Sequence, residues 1–148
     1  MLLIRDMTLA DCEAVAELDK EAFSVPMSVQ GYEREYSNPN STTLVAEKDG
    51  QVIGFANLWN ISGDVSLNNL AVTTLERSNG VGTALMREAF VRFSGCDFIT
   101  LEVRKSNEGA IRFYKRFGFR QVGIRRGFYD LPKEDALLMT VYLEDAQR

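Results

Sequence analysis

Hydrophobic and polar positions follow two different patterns along this chain, and the change of pattern divides it into two halves. In the first half, a short apolar strand at 2–4 precedes an apolar stripe with helical spacing over about residues 8–23. Ser28 is placed to cap a second, shorter helix that extends to residue 36. Apolar, β-branched runs at 42–47 and 52–59 flank the turn sequence Asp49-Gly50, and a further strand covers 65–72.

The second half alternates helices with strands. Apolar spacing predicts a helix at about 80–93 that buries Val81, Leu85 and Ala89, then a strand at 98–103. A helix at about 107–117 ends at Gly118, and strands at about 120–129 and 135–143 follow. The order β-α-α-β-β-β-α-β-α-β-β predicts an α/β (α+β) fold, a mixed sheet with helices on both faces. No linker or repeat interrupts this order, so we expect one domain over residues 1–148.

The composition excludes several classes of function. The apolar and charged fractions, 45% and 26%, are ordinary for a globular protein, and no apolar run approaches the roughly 20 residues of a membrane span. No signal peptide is visible, so we expect a cytoplasmic protein. Cys12 and Cys96 are too few for a disulfide framework, and we expect no metal. The absence of histidine excludes Ser-His-Asp and Cys-His catalysis.

Charge is unevenly distributed along the chain, whose net charge is −4. Residues 1–76 are poor in basic side chains, whereas residues 77–126 are rich in arginine and lysine. Solvated helix faces explain much of this pattern, but a half that attracts a polyanionic cofactor and a half that attracts a cationic partner would look the same. The acidic overall balance argues against nucleic-acid binding.

A glycine-containing loop is the first candidate site. The apolar strand residues Leu70-Ala71-Val72 are followed by Arg77-Ser78-Asn79-Gly80-Val81-Gly82, and a helix begins near Thr83. Glycine lets backbone N–H groups approach an anion, and the start of a helix adds partial positive charge. The sequence therefore predicts a phosphate-binding loop.

A second candidate site combines a strand carboxylate with a helix tyrosine. Glu102 lies between Leu101 and Val103, and the period of two places it on the opposite face of the strand. It is either a surface residue on an edge strand or, on a central strand, a carboxylate that needs a partner or a task. Tyr114 shares a helical stripe with Phe113 and other apolar residues, so packing alone would explain it.

Together the two segments resemble the GCN5-related N-acetyltransferase (GNAT) superfamily. The Arg77–Gly82 segment is similar to the superfamily's acetyl-CoA motif Q/R-x-x-G-x-G/A, and the sequence LEVRKSNEGAIRFYKRFGF, residues 101–119, is similar to its second cofactor and catalytic segment. The resemblance implies a single-domain fold with a mostly antiparallel sheet. It also implies acetyl-CoA as the co-substrate.

The resemblance narrows to the bacterial ribosomal-protein-alanine N-acetyltransferases. Shared features are Arg125-Arg126-Gly127-Phe128-Tyr129 and the segment EDALLM at 134–139. Asn69 also matches, although a turn or cap role would explain it equally well. The chain departs from the group at residues 23–28, Phe-Ser-Val-Pro-Met-Ser, where Phe-Pro-Trp-Ser is usual. Because this segment borders the acceptor site in the family, the departure concerns the acceptor rather than the reaction.

By this resemblance, Glu102 accepts a proton, directly or through water, and Tyr114 donates one to the departing sulfur. The strand before the loop pairs with the pantetheine amides, and main-chain N–H groups of the loop hold the pyrophosphate. The implied coenzyme-binding residues are Leu70, Ala71, Val72, Arg77, Ser78, Asn79, Gly80, Val81, Gly82, Thr83 and Asn107.

Three functions follow as hypotheses. The first is transfer of acetyl from acetyl-CoA to the N-terminal alanine of small-subunit ribosomal protein eighteen. The second is acetylation of a small amine, such as a polyamine or aminoglycoside. The third is a non-catalytic acyl-CoA-binding module, in which we would expect Glu102 or Tyr114 to be replaced by inert residues. The expected partner is thus a protein N-terminus or a small-molecule amine, with neither nucleic acid nor membrane.

Overall fold

The computed structural model describes residues 1–145. Every predicted helix and strand is confirmed, in the predicted order. The strands are β1 (Leu2–Asp6), β2 (Ser41–Lys48), β3 (Gln51–Ile61), β4 (Asp64–Val72), β5 (Phe98–Arg104), β6 (Arg120–Asp130) and β7 (Lys133–Tyr142). The helices are α1 (Cys12–Ala22), α2 (Val29–Ser37), α3 (Val81–Arg92) and α4 (Glu108–Arg116).

The seven strands form one sheet in the order β1-β2-β3-β4-β5-β7-β6. All neighbours are antiparallel except β4 and β5, which are parallel, so the predicted mixed, mostly antiparallel sheet is confirmed. Alternate side chains of one strand enter two different cores. Leu44 packs with the α3 and α4 side chains, and Val45 packs with those of α1 and α2. The helices therefore cover both faces, as predicted.

The parallel pair is short, and this positions the site. Only Val65 with Ile99 and Ser66 with Thr100 pair between β4 and β5. The residues that follow on both strands no longer pair with each other, so the two strands diverge toward their carboxyl ends. A cleft opens between them.

Within residues 1–145, no helix is long and apolar enough to cross a membrane.

Candidate active site

The cleft between β4 and β5 has a volume of about 530 Å³. Five parts of the chain contribute to its walls: the α1–α2 segment, the second half of β4, the end of β5, one side of α4 with its N-terminal cap, and the end of β6. Glu102, Tyr114 and Asn107 all line it, as does Leu70. Predicted site residues from two separate segments of the sequence thus line one cavity.

Glu102 lies on a central strand, because β5 is flanked by β4 and β7. This excludes the edge-strand interpretation. Leu101 and Val103 are buried on the α3/α4 face, and the Glu102 side chain, 30% exposed, points to the other face and into the cleft. Its Oε1 atom lies 3.2 Å from Nε of Arg125. The carboxylate therefore has a charged partner and access to the cavity.

Tyr114 combines core packing with access to the cleft. Its ring makes edge contacts with Phe113 and Phe119, at centroid distances of 5.4 and 5.5 Å. Burial, and secondarily the nearby Tyr129, raises the pKa of the Tyr114 phenol well above its usual range. A phenol is protonated at neutral pH even at its ordinary pKa near 10, and the raised pKa preserves this state, which a proton donor requires.

The Tyr114 hydroxyl has no hydrogen-bond partner within residues 1–145. No fully buried side-chain nitrogen or oxygen in this part of the chain lacks a partner, so the hydroxyl oxygen retains some exposed surface. Tyr114 also lines the cleft. The packing and functional interpretations of this tyrosine are compatible.

The glycine-containing loop lies between β4 and α3. A single 3₁₀ turn (Thr74–Glu76) is followed by Ser78 and Gly80, both in the left-handed region with φ of 72° and 82°, and α3 begins at Val81. The first amides of a helix have no intrahelical acceptor. A Cβ built on Gly80 would meet no atom within 4 Å, so the space beside the loop is open. The loop geometry fits an anionic group such as a pyrophosphate.

Gly82 has an additional structural role. A Cβ built there would lie 3.4 Å from two atoms of the Phe113 ring. This is the distance of an ordinary van der Waals contact, so the first turn of α3 lies against α4 at Gly82. One glycine of the motif therefore shapes the loop, and the other lies where two helices pack.

Side chains in and around the loop hold its shape. Arg77 Nε donates a hydrogen bond to the Val72 carbonyl at 3.3 Å, and Asn79 Nδ2 donates to Glu76 at 3.2 Å. Lys48 forms an ion pair with Glu76 at 3.0 Å. The Arg77 and Asn79 side chains thus contact the loop and its flanks, and their contact with a coenzyme stays a prediction.

The end of β4 has a free edge on the cleft side. Leu70, Ala71 and Val72 pair with β3 on one side, while no β5 residue pairs with them on the other. Backbone amide and carbonyl groups on an unpaired edge can bond an extended ligand that carries amides of its own. The pantetheine arm of coenzyme A has this character, so these residues fit the predicted contact.

Asn107 caps α4, where its Oδ1 atom accepts a hydrogen bond from the Ala110 amide at 3.2 Å. It also lines the cleft. The cap is a role beyond the coenzyme contact predicted for Asn107, and that contact stays a prediction.

A buried polar chain next to the cleft was missed in the sequence. Asn69, which is neither a turn nor a cap residue, donates to the Tyr32 hydroxyl at 3.3 Å, and Tyr32 donates to the Asp19 carboxylate. Asp19 also accepts from the Met27 amide at 3.3 Å. Burial raises the pKa of Asp19 above its ordinary value. Asp19 lies four residues after Val15, within the apolar stripe of α1. A charged residue at such a position indicates a buried carboxylate with a polar partner.

Among residues 1–145, no group of three or more cysteine, aspartate or glutamate side chains could hold a metal ion.

The sheet splays at its parallel pair, a glycine-containing loop precedes α3, and Glu102 and Tyr114 line the cleft between the splayed strands. This is the arrangement expected of an enzyme of the N-acetyltransferase class. The chain belongs to the acetyltransferase (GNAT) family, whose sequence model matches residues 12–119. It is accordingly an acetyl-CoA-dependent N-acetyltransferase.

Individual relatives agree with this family. The chain is 34% identical over 145 residues, 96% of each protein, to a Bacillus subtilis relative that carries a provisional name as a ribosomal protein bS18-alanine N-acetyltransferase. It is 30% identical to an N-alpha-acetyltransferase of Sulfurisphaera tokodaii, covering 95% of this chain and 92% of the relative. The crystal structure of the ribosomal-protein-S18-alanine N-acetyltransferase from Escherichia coli superposes with a TM-score of 0.89 at 26% identity, covering 97% and 94%.

Proposed function

We propose that this N-acetyltransferase acetylates the α-amine of a protein N-terminus, and that its acceptor is the N-terminal alanine of ribosomal protein bS18. The names of relatives at 34% and 26% identity support this acceptor. The observation that carries the proposal is the cleft itself, which brings Glu102 and Tyr114 together beside the free edge of β4.

The reaction requires two proton transfers in opposite directions. The neutral amine nitrogen attacks the thioester carbonyl carbon, a C–N bond forms, and the C–S bond breaks. The nitrogen loses a proton, which we assign to Glu102, and the departing sulfur gains one, which we assign to the Tyr114 hydroxyl. Glu102 returns to the carboxylate form by releasing the proton to solvent, and Tyr114 takes a proton from solvent to become a phenol again.

An α-amine suits this site better than a lysine side chain. Its pKa is about 7.7–8.0, against about 10.4 for lysine, so a substantial fraction is neutral near physiological pH. Glu102 keeps contact with a cation, Arg125, and is only partly buried. An α-amine that is partly neutral in solution demands less of the residue that takes its proton than a lysine side chain does.

The coenzyme side of the proposal rests on the loop and on the β4 edge. Amides of residues 78–83 would hold the pyrophosphate, and the backbone of Leu70–Val72 would bond the pantetheine amides and orient the thioester. Bound acetyl-CoA supplies the activated acetyl group. The chain's own residues bind it, orient it and manage the protons.

A peptide panel tests the proposal. Purified enzyme and acetyl-CoA are incubated with peptides that begin Ala-Arg, Ser or Met, with an N-terminally blocked peptide that contains lysine, and with spermidine, and free thiol is followed. We expect the highest kcat/KM for the peptide that begins with alanine. Activity confined to spermidine or to the blocked peptide would overturn the proposed acceptor.

A further inference from the structure

The acceptor side of the cleft has two walls that come from different parts of the chain. One wall is the turn between α1 and α2, which contributes Phe23, Val25 and Met27. The other is the end of β6, which contributes Phe128 and Tyr129. Within residues 1–145, no strand pairing joins these two walls.

Arg104, the last residue of β5, contacts both walls. Its Nη2 atom donates to the Ser24 hydroxyl oxygen at 3.1 Å on the first wall. The same atom donates to the Leu131 carbonyl at 3.0 Å, and Nη1 donates to the Pro132 carbonyl at 2.9 Å, both in the turn that follows β6. One guanidinium therefore bridges two segments that share no other hydrogen bond in the part of the chain that the structure describes.

Two further contacts fix the orientation of Arg104. Its guanidinium carbon lies 4.2 Å from the centroid of the Tyr129 ring, within the range of a cation–π interaction. Its Nη1 atom also pairs with Glu134 at 3.2 Å, and Glu134 in turn accepts from the Ser106 amide at 2.6 Å. A planar guanidinium held on several sides has little freedom to move, so it transmits its position to what it touches.

We propose that Arg104 is a positioning residue that clamps the two acceptor-side walls together, with Ser24 as its anchor on the α1–α2 turn. Ser24 lies in the segment where the chain departs from the Phe-Pro-Trp-Ser pattern. A serine hydroxyl accepts the hydrogen bond that a proline side chain at this place could not. The inference rests on the proposed function in assigning these walls to the acceptor.

The clamp affects the binding of the acceptor and does not affect the binding of the coenzyme. The Arg104 side chain has no hydrogen bond or ion pair with residues 77–83 or with Asn107, which are predicted to bind the coenzyme. The Asn107 amide donates to the Arg104 backbone carbonyl at 2.9 Å, a bond that a change of the Arg104 side chain retains. Loss of the clamp should widen or loosen the opening to the amine, while the loop and the β4 edge keep their geometry.

Steady-state kinetics with the Ala-Arg peptide test the clamp. We expect Ser24→Ala to raise the acceptor KM about fivefold and Arg104→Gln to raise it at least tenfold, with the KM for acetyl-CoA unchanged within about twofold. Ser24→Thr keeps the hydroxyl and should behave as the parent enzyme. Equal changes in both KM values, or no change in the acceptor KM for Ser24→Ala, would overturn the proposal.

Amide hydrogen exchange keeps the test independent of the acceptor's identity. In Arg104→Gln, exchange should accelerate in both walls, residues 23–28 and 127–133, and in Ser24→Ala only in residues 23–28. Unchanged exchange in both variants contradicts the clamp. If the parent enzyme acetylates no peptide N-terminus but the exchange pattern appears, the proposed function fails and the clamp stands.

Discussion

Glu102 and Arg125 form an ion pair, 3.2 Å between Oε1 and Nε, that crosses over an intervening strand. Strand β7 lies between β5 and β6, and Ala136 is the β7 residue opposite Arg125. Leu138 is the β7 residue opposite Glu102, so the ion pair runs diagonally across β7. Because Arg125 is 55% exposed, the pair contributes little to stability, and its significance lies in the charge that it places beside the carboxylate.

Replacement of Glu102 by glutamine tests its role as the proton acceptor. We expect Glu102→Gln to lower kcat about a hundredfold at neutral pH, with little change in acetyl-CoA affinity, because the amide cannot take a proton from the amine. Activity should recover in part as pH rises, since more of the α-amine becomes neutral in solution. Steady-state assays from pH 6 to 9 and calorimetric titration with acetyl-CoA provide both measurements.

Glu13→Gln is the matched control for Glu102→Gln, because Glu13 is exposed in the first turn of α1 and does not line the cleft. It should retain the parent rate. A loss below threefold in Glu102→Gln would assign Glu102 a structural role.

Tyr114→Phe removes the hydroxyl and keeps the ring. We expect kcat to fall at least tenfold, because the departing sulfur loses its proton donor. The melting temperature should equal that of the parent enzyme, since the edge contacts with Phe113 and Phe119 involve only the ring. Thermal melts and kinetics of the same preparation distinguish proton donation from packing. Proton donation would be contradicted by an unchanged rate, or by a rate loss that is proportional to a loss of folded protein.

A pair of glycine substitutions tests the phosphate-binding loop. Gly80 and Gly63 both have positive φ, 82° and 93°, and a Cβ at either position would enter open space. Aspartate should therefore strain both positions similarly, but only Gly80→Asp places a negative charge beside the proposed pyrophosphate site. We expect acetyl-CoA affinity to fall at least about tenfold in Gly80→Asp and to hold in Gly63→Asp, measured by calorimetry.

Equal acetyl-CoA affinity in the two glycine variants would place the phosphate elsewhere. Gly82 is a poorer choice for this test, because a side chain there would also contact Phe113.

Asp11 gives a prediction for the pH dependence of stability. Its carboxylate accepts from Arg5 Nη1 at 2.7 Å and from the Thr8 amide at 2.7 Å, and the Arg5 hydrogen bond is the main reason that its pKa falls to about 2. A lowered folded-state pKa stabilises the protein above the unfolded pKa of about 3.9, and this stability is lost as pH falls through the folded value.

We therefore expect Asp11→Asn to lower the free energy of unfolding by about 2 kcal/mol at pH 7, with a smaller deficit as pH approaches 2. Urea denaturation of both proteins at pH 7 and pH 3 measures the deficit. A deficit of the same size at both pH values would show that the carboxylate's charge is not its cause.

The elements of the fold could be predicted because each follows from local periodicity. The strand predicted at 98–103 is Phe98–Arg104, and the helix predicted at 80–93 is Val81–Arg92. The first helix was less accurate, because residues Leu9–Asp11 form a 3₁₀ turn before α1 begins at Cys12. There the Asp11 carboxylate accepts from Thr8, at the three-residue spacing of a capping box, and from Arg5 of β1. The Thr8–Asp11 spacing is a local signal for the start of the helix, but it does not distinguish a 3₁₀ turn from the first turn of an α-helix.

The cleft could be predicted only in part. Glu102, Tyr114 and Asn107 were identified from their segments, but the divergence of β4 from β5 after two residue pairs depends on strand register. The roles of Arg104 and Asp19 depend on partners 80 and 13 positions away, Ser24 and Tyr32. Such contacts arise from tertiary packing, so a single sequence carries little sign of them.

Localisation of the transferred acetyl group tests the central claim most directly. The enzyme is incubated with acetyl-CoA and one peptide that has both an N-terminal alanine and an internal lysine, with spermidine as a competitor, and tandem mass spectrometry then locates the acetyl group. We predict acetylation of the alanine α-amine, abolished or strongly reduced with Glu102→Gln enzyme. Acetyl found on the lysine side chain or only on spermidine would contradict the account.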